Sequence, residues 1–453
     1  MSCRRELITL QVGQCGNQVG WRFWDILLKE HDAHSFTGFS DASSTFFSIN
    51  ESDSRKQYLR ARAVLVDTEE RVLAETQKRA NQRSPLSKST LSTSSLFDSS
   101  QFITAQSGSG NNWADGYFEY GPTKGVEALE ALRKQAESCH SLQGFLMFHS
   151  VGGGTGSGLG SWISEHLAEE FGKVCKFSVS VFPGSSDDVV TSPYNSIFSL
   201  SSLANSSDSC LVVDNTALTR LAQNSIDQSN SQSKSQSNAF DVMNDHVAKA
   251  IADFTAVMRF PGSLNVDFGE IYTNLVPFPS LSFLIPSSSQ LSTNQKGLFR
   301  TSDLFKSLID RNYCLNSSVL SNRCLLASAI FGRGQSISIQ DISIAARQIS
   351  SKLPLAYWAE DLVKIGLCSV PPVYSSGAAF GLFNSCAITN VFDHSINRFD
   401  SLFKRRAFLN HYEKFMDISD VQIMRDNVFN ISHKYLEIEK TPKPSNYRIT
   451  PLL

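Results

Sequence analysis

Residues 152–158 read GGGTGSG, a composition suited to cradling a phosphate. Glycine lets the backbone approach an anion with no side chain in the way and permits positive φ. Thr155 and Ser157 add hydroxyl donors. Upstream, Gly144-Phe145-Leu146-Met147-Phe148-His149 predicts a short buried strand. Downstream, Leu159, Trp162, Ile163, Leu167 and Phe171 recur at helical spacing, with Glu165, Glu169 and Glu170 on the other face. The glycines therefore fall between a strand end and a helix start, where unpaired N–H groups and the helix dipole favour a phosphate. A plain flexible Gly/Ser loop is the alternative, and the strand-loop-helix setting disfavours it. Two other phosphate loops are excluded by spacing. The Gly172-Lys173 pair is followed by Val174, so there is no G-x-x-x-x-G-K-[ST], and G-x-G-x-x-G never occurs.

The elements that must position this loop are legible around it. Leu7 to Val12 is strand-like and ends at Gly13; helical spacing follows through Val19, Phe23, Ile26 and Leu27. Ala63-Val64-Leu65-Val66, Phe177 to Phe182 and Cys210 to Val213 predict further strands. The β/α alternation predicts an α/β fold built on a doubly wound, mainly parallel sheet. Ligands of such sheets bind beyond the carboxyl ends of the strands. Polar and glycine-rich runs sit at those ends: residues 14–18, 67–70, 107–112, 152–158 and 214–215. Their convergence argues more than any single motif.

The expected organisation is a nucleotide-type domain over 1–238, a core helix over 239–258, a mixed intermediate domain over 259–383 and a C-terminal helical domain over 384–453. The helix rests on Phe240, Met243, Val247, Ile251, Phe254 and Met258, which step by three or four. Residues 84–100 and 223–238 are rich in Ser, Thr, Gln and Asn and are expected to be flexible insertions. From Cys386 to Lys440 the pattern is mostly helical, predicting a pair of long helices.

At 453 residues and formal charge −2, nothing points to nucleic acid or an anionic membrane. No apolar run approaches the ~18–20 residues of a membrane span. The apolar segment after Arg4 and Arg5 is short and broken by Thr9 and Gln11, unlike a signal peptide. Nine scattered cysteines with no C-x-x-C fit reduced thiols in a cytoplasmic setting.

Taken in order, these segments resemble the tubulin superfamily across essentially the whole chain. Gly13-Gln14-Cys15-Gly16-Asn17-Gln18, Val66-Asp67-Thr68-Glu69, residues 107–113 and residues 149–158 match its first four nucleotide loops. Asp188 with Pro193-Tyr194-Asn195 matches the fifth. Residues 259–265, 274–279 and 404–409 also match. Within the superfamily, VDTEE at 66–70, DDVVTSPYNS at 187–196 and CSVPPV at 368–373 resemble the epsilon branch. The chain ends without the dense acidic tail of alpha and beta members, which disfavours an ordinary wall subunit.

The resemblance implies GTP or GDP with Mg²⁺ as ligands. It implies that Gly153, Gly154, Thr155 and Gly156 hold the phosphates beside Gln14 and Cys15, with Gln18, Asn111 and Asp188 completing the loops. Ser150 would face the ribose or α-phosphate. Glu69 would orient a magnesium-bound water, since magnesium keeps several waters. Asn215 and Asn244 would read the guanine edge, both amides carrying donor and acceptor, and Phe240 would stack on the base. Ser192 stands where alpha and beta members have a ribose-contacting glutamate, so a charge-assisted bond is lost. Glu270 and Asp267 match the acid region that acts on the nucleotide of a neighbouring subunit, so hydrolysis would need head-to-tail stacking. A helix-capping role is their alternative. A loop near 287–294, where lateral contacts arise in the family, is Ser/Thr/Gln-rich.

The function implied is a GTP-binding structural protein of centrioles and basal bodies. It would form or stabilise compound (triplet) microtubules with delta-tubulin, other tubulins and centriolar proteins, with no nucleic-acid or membrane partner. A polymerising wall GTPase and a scaffold that binds no nucleotide are the alternatives. A nicotinamide or flavin oxidoreductase fails on glycine spacing.

Overall fold

The structure is a computed structural model that describes residues 5–33, 41–53, 56–82, 96–184, 189–228, 236–260, 262–291, 301–359 and 363–441. Its strands are β1 (Glu6–Val12), β2 (Phe47–Asp53), β3 (Lys56–Ala61), β4 (Ala63–Asp67), β5 (Phe102–Thr104), β6 (Leu142–Ser150), β7 (Cys175–Phe182), β8 (Ser209–Asp214), β9 (Phe283–Gln290), β10 (Leu325–Arg333), β11 (Val363–Cys368) and β12 (Ala378–Ser385). Its helices are α1 (Gly13–Ala33), α2 (Asp41–Ser44), α3 (Glu70–Gln82), α4 (Val126–Glu137), α5 (Gly160–Glu170), α6 (Ser192–Ser206), α7 (Asn215–Gln228), α8 (Gln236–Arg259), α9 (Phe268–Leu275), α10 (Thr301–Lys306), α11 (Ile339–Lys352), α12 (Thr389–Phe403) and α13 (Ile418–Lys440).

Ten strands form one sheet in the order β11-β10-β12-β9-β8-β7-β6-β1-β4-β5, while β2 and β3 make a separate antiparallel hairpin. From β5 to β9 every neighbouring pair is parallel. β12 runs antiparallel to both its neighbours, and β10 and β11 are parallel to each other. The chain passes from β1 to β4 and β5 on one side, then returns to β6 on the other. That makes the carboxyl ends of β1 and β6 the switch point where such sheets open a crevice.

Both faces of the parallel part are covered, so its strands read as apolar runs rather than alternating ones. Leu7 and Leu65 face a cluster with α1 and α8, through Phe23, Leu27, Val247, Ile251 and Phe254. Ile8, Leu10, Val64 and Val66 face α4 and α5, through Ala128, Leu132, Leu159 and Ile163. A third cluster packs α6, α12 and α13 on the far part of the sheet, through Phe198, Leu203, Phe392, Phe399, Val428 and Tyr435. α8 is therefore a buried rod, as its spacing predicts.

Three expectations need correction. Residues 96–100 are not a flexible insertion. Leu96 and Phe97 are buried, Asp98 caps a short turn in a capping box, and Gln101 Nε2 donates to the carbonyls of Ala61 and Ala63, 2.7 Å each. Residues 84–95 of that stretch lie outside the described residues. Likewise α7 runs on to Gln228 and α8 already begins at Gln236. Ser225 Oγ donates to Leu221 O and meets His246 Nε2 at 3.0 Å, so a polar helix face is satisfied across the α7–α8 contact. Residues 229–235 lie outside the described residues. Finally, residues 287–290 are strand, not loop: they close β9 and pair with Gly381, Phe380, Ala379 and Ala378 of β12. Residues 292–294 lie outside the described residues.

Candidate functional site

A cleft of about 520 Å³ opens at the carboxyl ends of β1, β4, β6, β7 and β8, within the range of small-ligand sites. Gln14, Cys15, Gln18, Glu69, Asn111, Ser150, Gly153, Gly154, Thr155, Gly156, Asn215, Phe240 and Asn244 all line it. Of the residues expected to contact a nucleotide, Asp188 lies outside the described residues.

Glycine is required at two points where the loops approach one another. Gly13 ends β1 with φ +73°, and a Cβ there would stand 2.9 Å from the backbone nitrogen of Gly156. The two loops can close on one ligand only because neither carries a side chain at that contact. A Cβ on Gly154 would stand 2.4 Å from Ser109 Oγ and 2.8 Å from Asn112 N. After Gly154 the chain makes a π-helical turn, Thr155–Leu159, then α5. A single-turn π-bulge at a helix start is often a functional feature.

Polar side chains pin the loops to one another. Asn195, fully buried on α6, donates to Asn111 O (2.8 Å) and Gly152 O (2.9 Å) and accepts from Trp113 N–H (2.9 Å) and Tyr412 O–H (2.6 Å). Asn17 donates to Gly13 O (2.9 Å) and Val66 O (3.0 Å), tying the loops after β1 and β4. Thr155 Oγ1 shares hydrogen bonds with Thr68 Oγ1 at 2.6 Å and Ser109 Oγ at 3.0 Å. Asn111 holds the left-handed conformation, φ 53°, which asparagine tolerates better than most residues.

Below the phosphate loop lies His149, buried at the end of β6. Its Nδ1 is 2.9 Å from Gly156 O and its Nε2 is 2.7 Å from Ser180 Oγ. A carbonyl can only accept, so Nδ1 carries the proton and Nε2 accepts from the serine. Burial pushes the imidazole down to about 4, which keeps it neutral.

The acids of the cleft divide. Glu69 is exposed on its rim, while Asp67 is 4% exposed with Oδ2 buried and unpartnered in the cleft wall. Burial raises Asp67 to about 7, against the hydrogen bond from Glu69 N–H. An unpaired buried carboxylate oxygen beside a second acid fits a hydrated divalent cation, whose charge favours the ionised form. The phosphate-type loop, the hydroxyls and this acid pair together fit a nucleoside phosphate with Mg²⁺. Burial also pushes the Cys15 thiol up to about 12, so it lines the cleft as a neutral group. At the mouth Asn244 Nδ2 reaches Gln18 Oε1 at 3.4 Å, and Phe240 stands 60% exposed, open to a planar base.

Ser192 is fully buried at the start of α6, its N–H donating to the carbonyl of Val189 at 3.1 Å, and Val189 lines the cleft. Asp267 and Glu270 are at the other end of the sheet. Asp267 caps α9, accepting the Glu270 N–H at 2.8 Å, and Glu270 pairs with Lys364 of β11 at 3.0 Å. The α9 residue Phe268 stacks on Phe177 near the start of β7 and limits Gly144 near the start of β6. Strand length from Gly144 to Ser150 alone separates the α9 end from the cleft by about 20 Å.

Residues overlooked as ligands or supports are Asp67, Ser109, Asn17, His149 and Asn195. The first four sit inside motifs already singled out. Asn195 also sits in a matched run, Pro193-Tyr194-Asn195, but its supporting role has no local signal, because its partners are spread from Asn111 to Tyr412.

Comparison with known proteins gives matches along most of the chain. The model described as Tubulin/FtsZ family, GTPase domain, matches residues 6–223, and the Tubulin C-terminal domain matches residues 279–397. The chain is 37% identical to the tubulin epsilon chain of Mus musculus over 440 residues, covering 90% of each. It is 36% identical to that of Homo sapiens over the same length and coverage. A tubulin beta-2 chain of Suillus bovinus is 33% identical over 449 residues, 96% of each chain.

Proposed function

The chain belongs to the tubulin/FtsZ family of GTP-binding proteins, and from that premise we propose that it is a structural subunit that stacks head to tail with other tubulins in the compound (triplet) microtubules of centrioles and basal bodies. The observation that carries the stacking is the placement of two groups on opposite ends of the same strands. The nucleotide cleft lies beyond the carboxyl ends of β1 and β6, and α9, which carries Glu270, packs through Phe268 near the amino ends of β6 and β7. No fold of one chain brings them together, whereas a heterologous stack places Glu270 of one subunit over the cleft of the next.

In that arrangement residues 152–156 hold the phosphates through backbone N–H groups and Thr155. Each helix-end contribution is modest, ~0.3–1 kcal/mol and up to ~2 when partly buried, so binding draws on all the loops. Asn215, Asn244 and Phe240 select the guanine base. Glu69 and Asp67 would hold Mg²⁺, and the cation would supply charge stabilisation at the phosphates. Glu270 orients water at the neighbour's nucleotide, so hydrolysis depends on assembly. Similarity to the two epsilon chains supports the centriolar assignment and a delta-tubulin partner.

The direct test is to denature the purified protein and quantify what it releases. About one guanine nucleotide per chain is expected. An empty protein, not stabilised by excess GTP and Mg²⁺ where ~3–4 kcal/mol is expected near saturation, would overturn the reading in favour of a nucleotide-free scaffold. For the cellular role, depletion from centriole-bearing cells should convert triplets to singlets; intact triplets would count against it.

A further inference from the structure

Cys324 immediately precedes β10, and Cys386 immediately follows β12. The two strands are antiparallel and pair Leu325 with Ser385, so the same register sets the cysteines opposite each other. Cys386 N–H donates to Cys324 O at 2.9 Å, and Ser385 Oγ donates to the same carbonyl at 3.1 Å. Directly opposed residues bring Cβ atoms within about 4.5–5.5 Å, close to what a disulfide requires. Cys324 lines a surface cavity of about 260 Å³ together with Tyr357, Trp358 and Glu439. Cys386 is fully buried, its thiol donating to Tyr435 O at 3.3 Å.

We propose that Cys324 and Cys386 form a redox modification site, in which a peroxide entering the cavity is attacked by Cys324 and the two thiols end as an intramolecular disulfide. The Cys324 thiolate takes one oxygen of hydrogen peroxide as the O–O bond breaks, becoming a sulfenic acid and releasing hydroxide, which takes up the proton the thiol had given up and leaves as water. The Cys386 sulfur, losing its proton, attacks the Cys324 sulfur and expels hydroxide, which leaves as a second water. Two thiols lose two electrons and two protons, and one peroxide gives two waters. The order follows from access: Cys324 reaches solvent through the cavity, whereas Cys386 is buried with its thiol donating to Tyr435 O. The neighbouring sulfurs act on each other so that the pKa of Cys324 is lowered and that of Cys386 raised. Among the described cysteines, these two act directly on each other; burial dominates at Cys15, Cys139, Cys210 and Cys314, raising each.

The test uses the full-length protein with stoichiometric hydrogen peroxide, followed by non-reducing peptide mapping. The expected product is a peptide pair linked through Cys324 and Cys386, two hydrogens lighter than the sum of its parts and released by a dithiol reductant. Cys386→Ser should leave a sulfenic acid on Cys324 that a cyclic diketone traps, and Cys324→Ser should abolish both products. Oxidation that spares Cys324 while other thiols react overturns the proposal, as does a link from Cys324 to any other cysteine.

Discussion

Glu270 of α9 and Lys364 of β11 form an ion pair of 3.0 Å at the end of the sheet away from the nucleotide loops. Both side chains are partly solvent-exposed, so the pair adds about 0–1 kcal/mol to the fold. Its interest is in what Glu270 is held ready to do. We expect Glu270→Ala to retain bound guanine nucleotide and thermal stability, while lowering assembly-dependent GTP hydrolysis at least tenfold. Phosphate release measured with and without partner tubulins checks this. Robust hydrolysis by isolated subunits that is unchanged by the substitution would sink the stacked mechanism.

Asn195 should matter more than its place outside the cleft suggests. Replacement by alanine strands the Gly152 carbonyl, the Trp113 N–H and the Tyr412 hydroxyl, while Asn111 O keeps the bond from Thr191 Oγ1 at 2.8 Å. Each such group costs about 1–3 kcal/mol when left unpaired, and partial relaxation should leave a net loss of about 3–5 kcal/mol. Urea unfolding would read this, and nucleotide affinity should fall with it. Asn195→Asp keeps the acceptor but loses both donors, and should fall between the two.

His149 makes an acid-sensitive joint under the phosphate loop. Burial lowers its folded pKa to about 4 from an unfolded value near 6.5. The native state therefore binds fewer protons. Its contribution is present above pH ~6.5 and is lost progressively as the pH falls toward 4. A His149→Gln variant should show a flatter stability profile across that window in denaturant titrations. An unchanged slope would mean another group sets the acid limit.

A buried charge cluster should be similarly unforgiving. Glu30 of α1 binds Arg259 of α8 at 2.7 Å and Arg333 of β10 at 2.8 Å. Arg333 also meets Asp253 of α8 at 3.2 Å, and Tyr374 O–H donates to that acid at 2.6 Å. Arg333→Met leaves Asp253 buried with the Tyr374 hydroxyl but no cation, and Glu30 with Arg259 alone, at a cost of about 3–5 kcal/mol. A double variant, Arg333→Met with Asp253→Leu, should recover part of that loss. Unfolding midpoints of the single and double variants test the coupling.

The phosphate loop, the parallel strands and the long core helix were legible because each writes a local pattern: glycine between a strand and a helix, apolar runs, and a step of three or four. What was missed is polar and non-local. The end of β9 buries Ser287 and Ser289, so its strand character has no apolar signature and reads as a loop. Leu96 and Phe97 are two apolar residues in a Ser/Thr-rich stretch, yet they anchor it. The last turns of α7 are held by a Ser225–His246 contact to another helix, which composition cannot reveal. Asn195 and His149 work through partners that only the assembled sheet brings near.

α1 and α8 both begin at the cleft, through Gln14 and Gln18 on one and Phe240 and Asn244 on the other. Both end at the Glu30–Arg259–Arg333 cluster. They are two rods pinned at each end, α8 about 36 Å long at helical rise. Such a pair cannot slide one rod past the other without breaking short ionic contacts in a dry interior. An axial shift of either helix at the cleft would therefore be opposed by the ion pairs that hold its far end to β10.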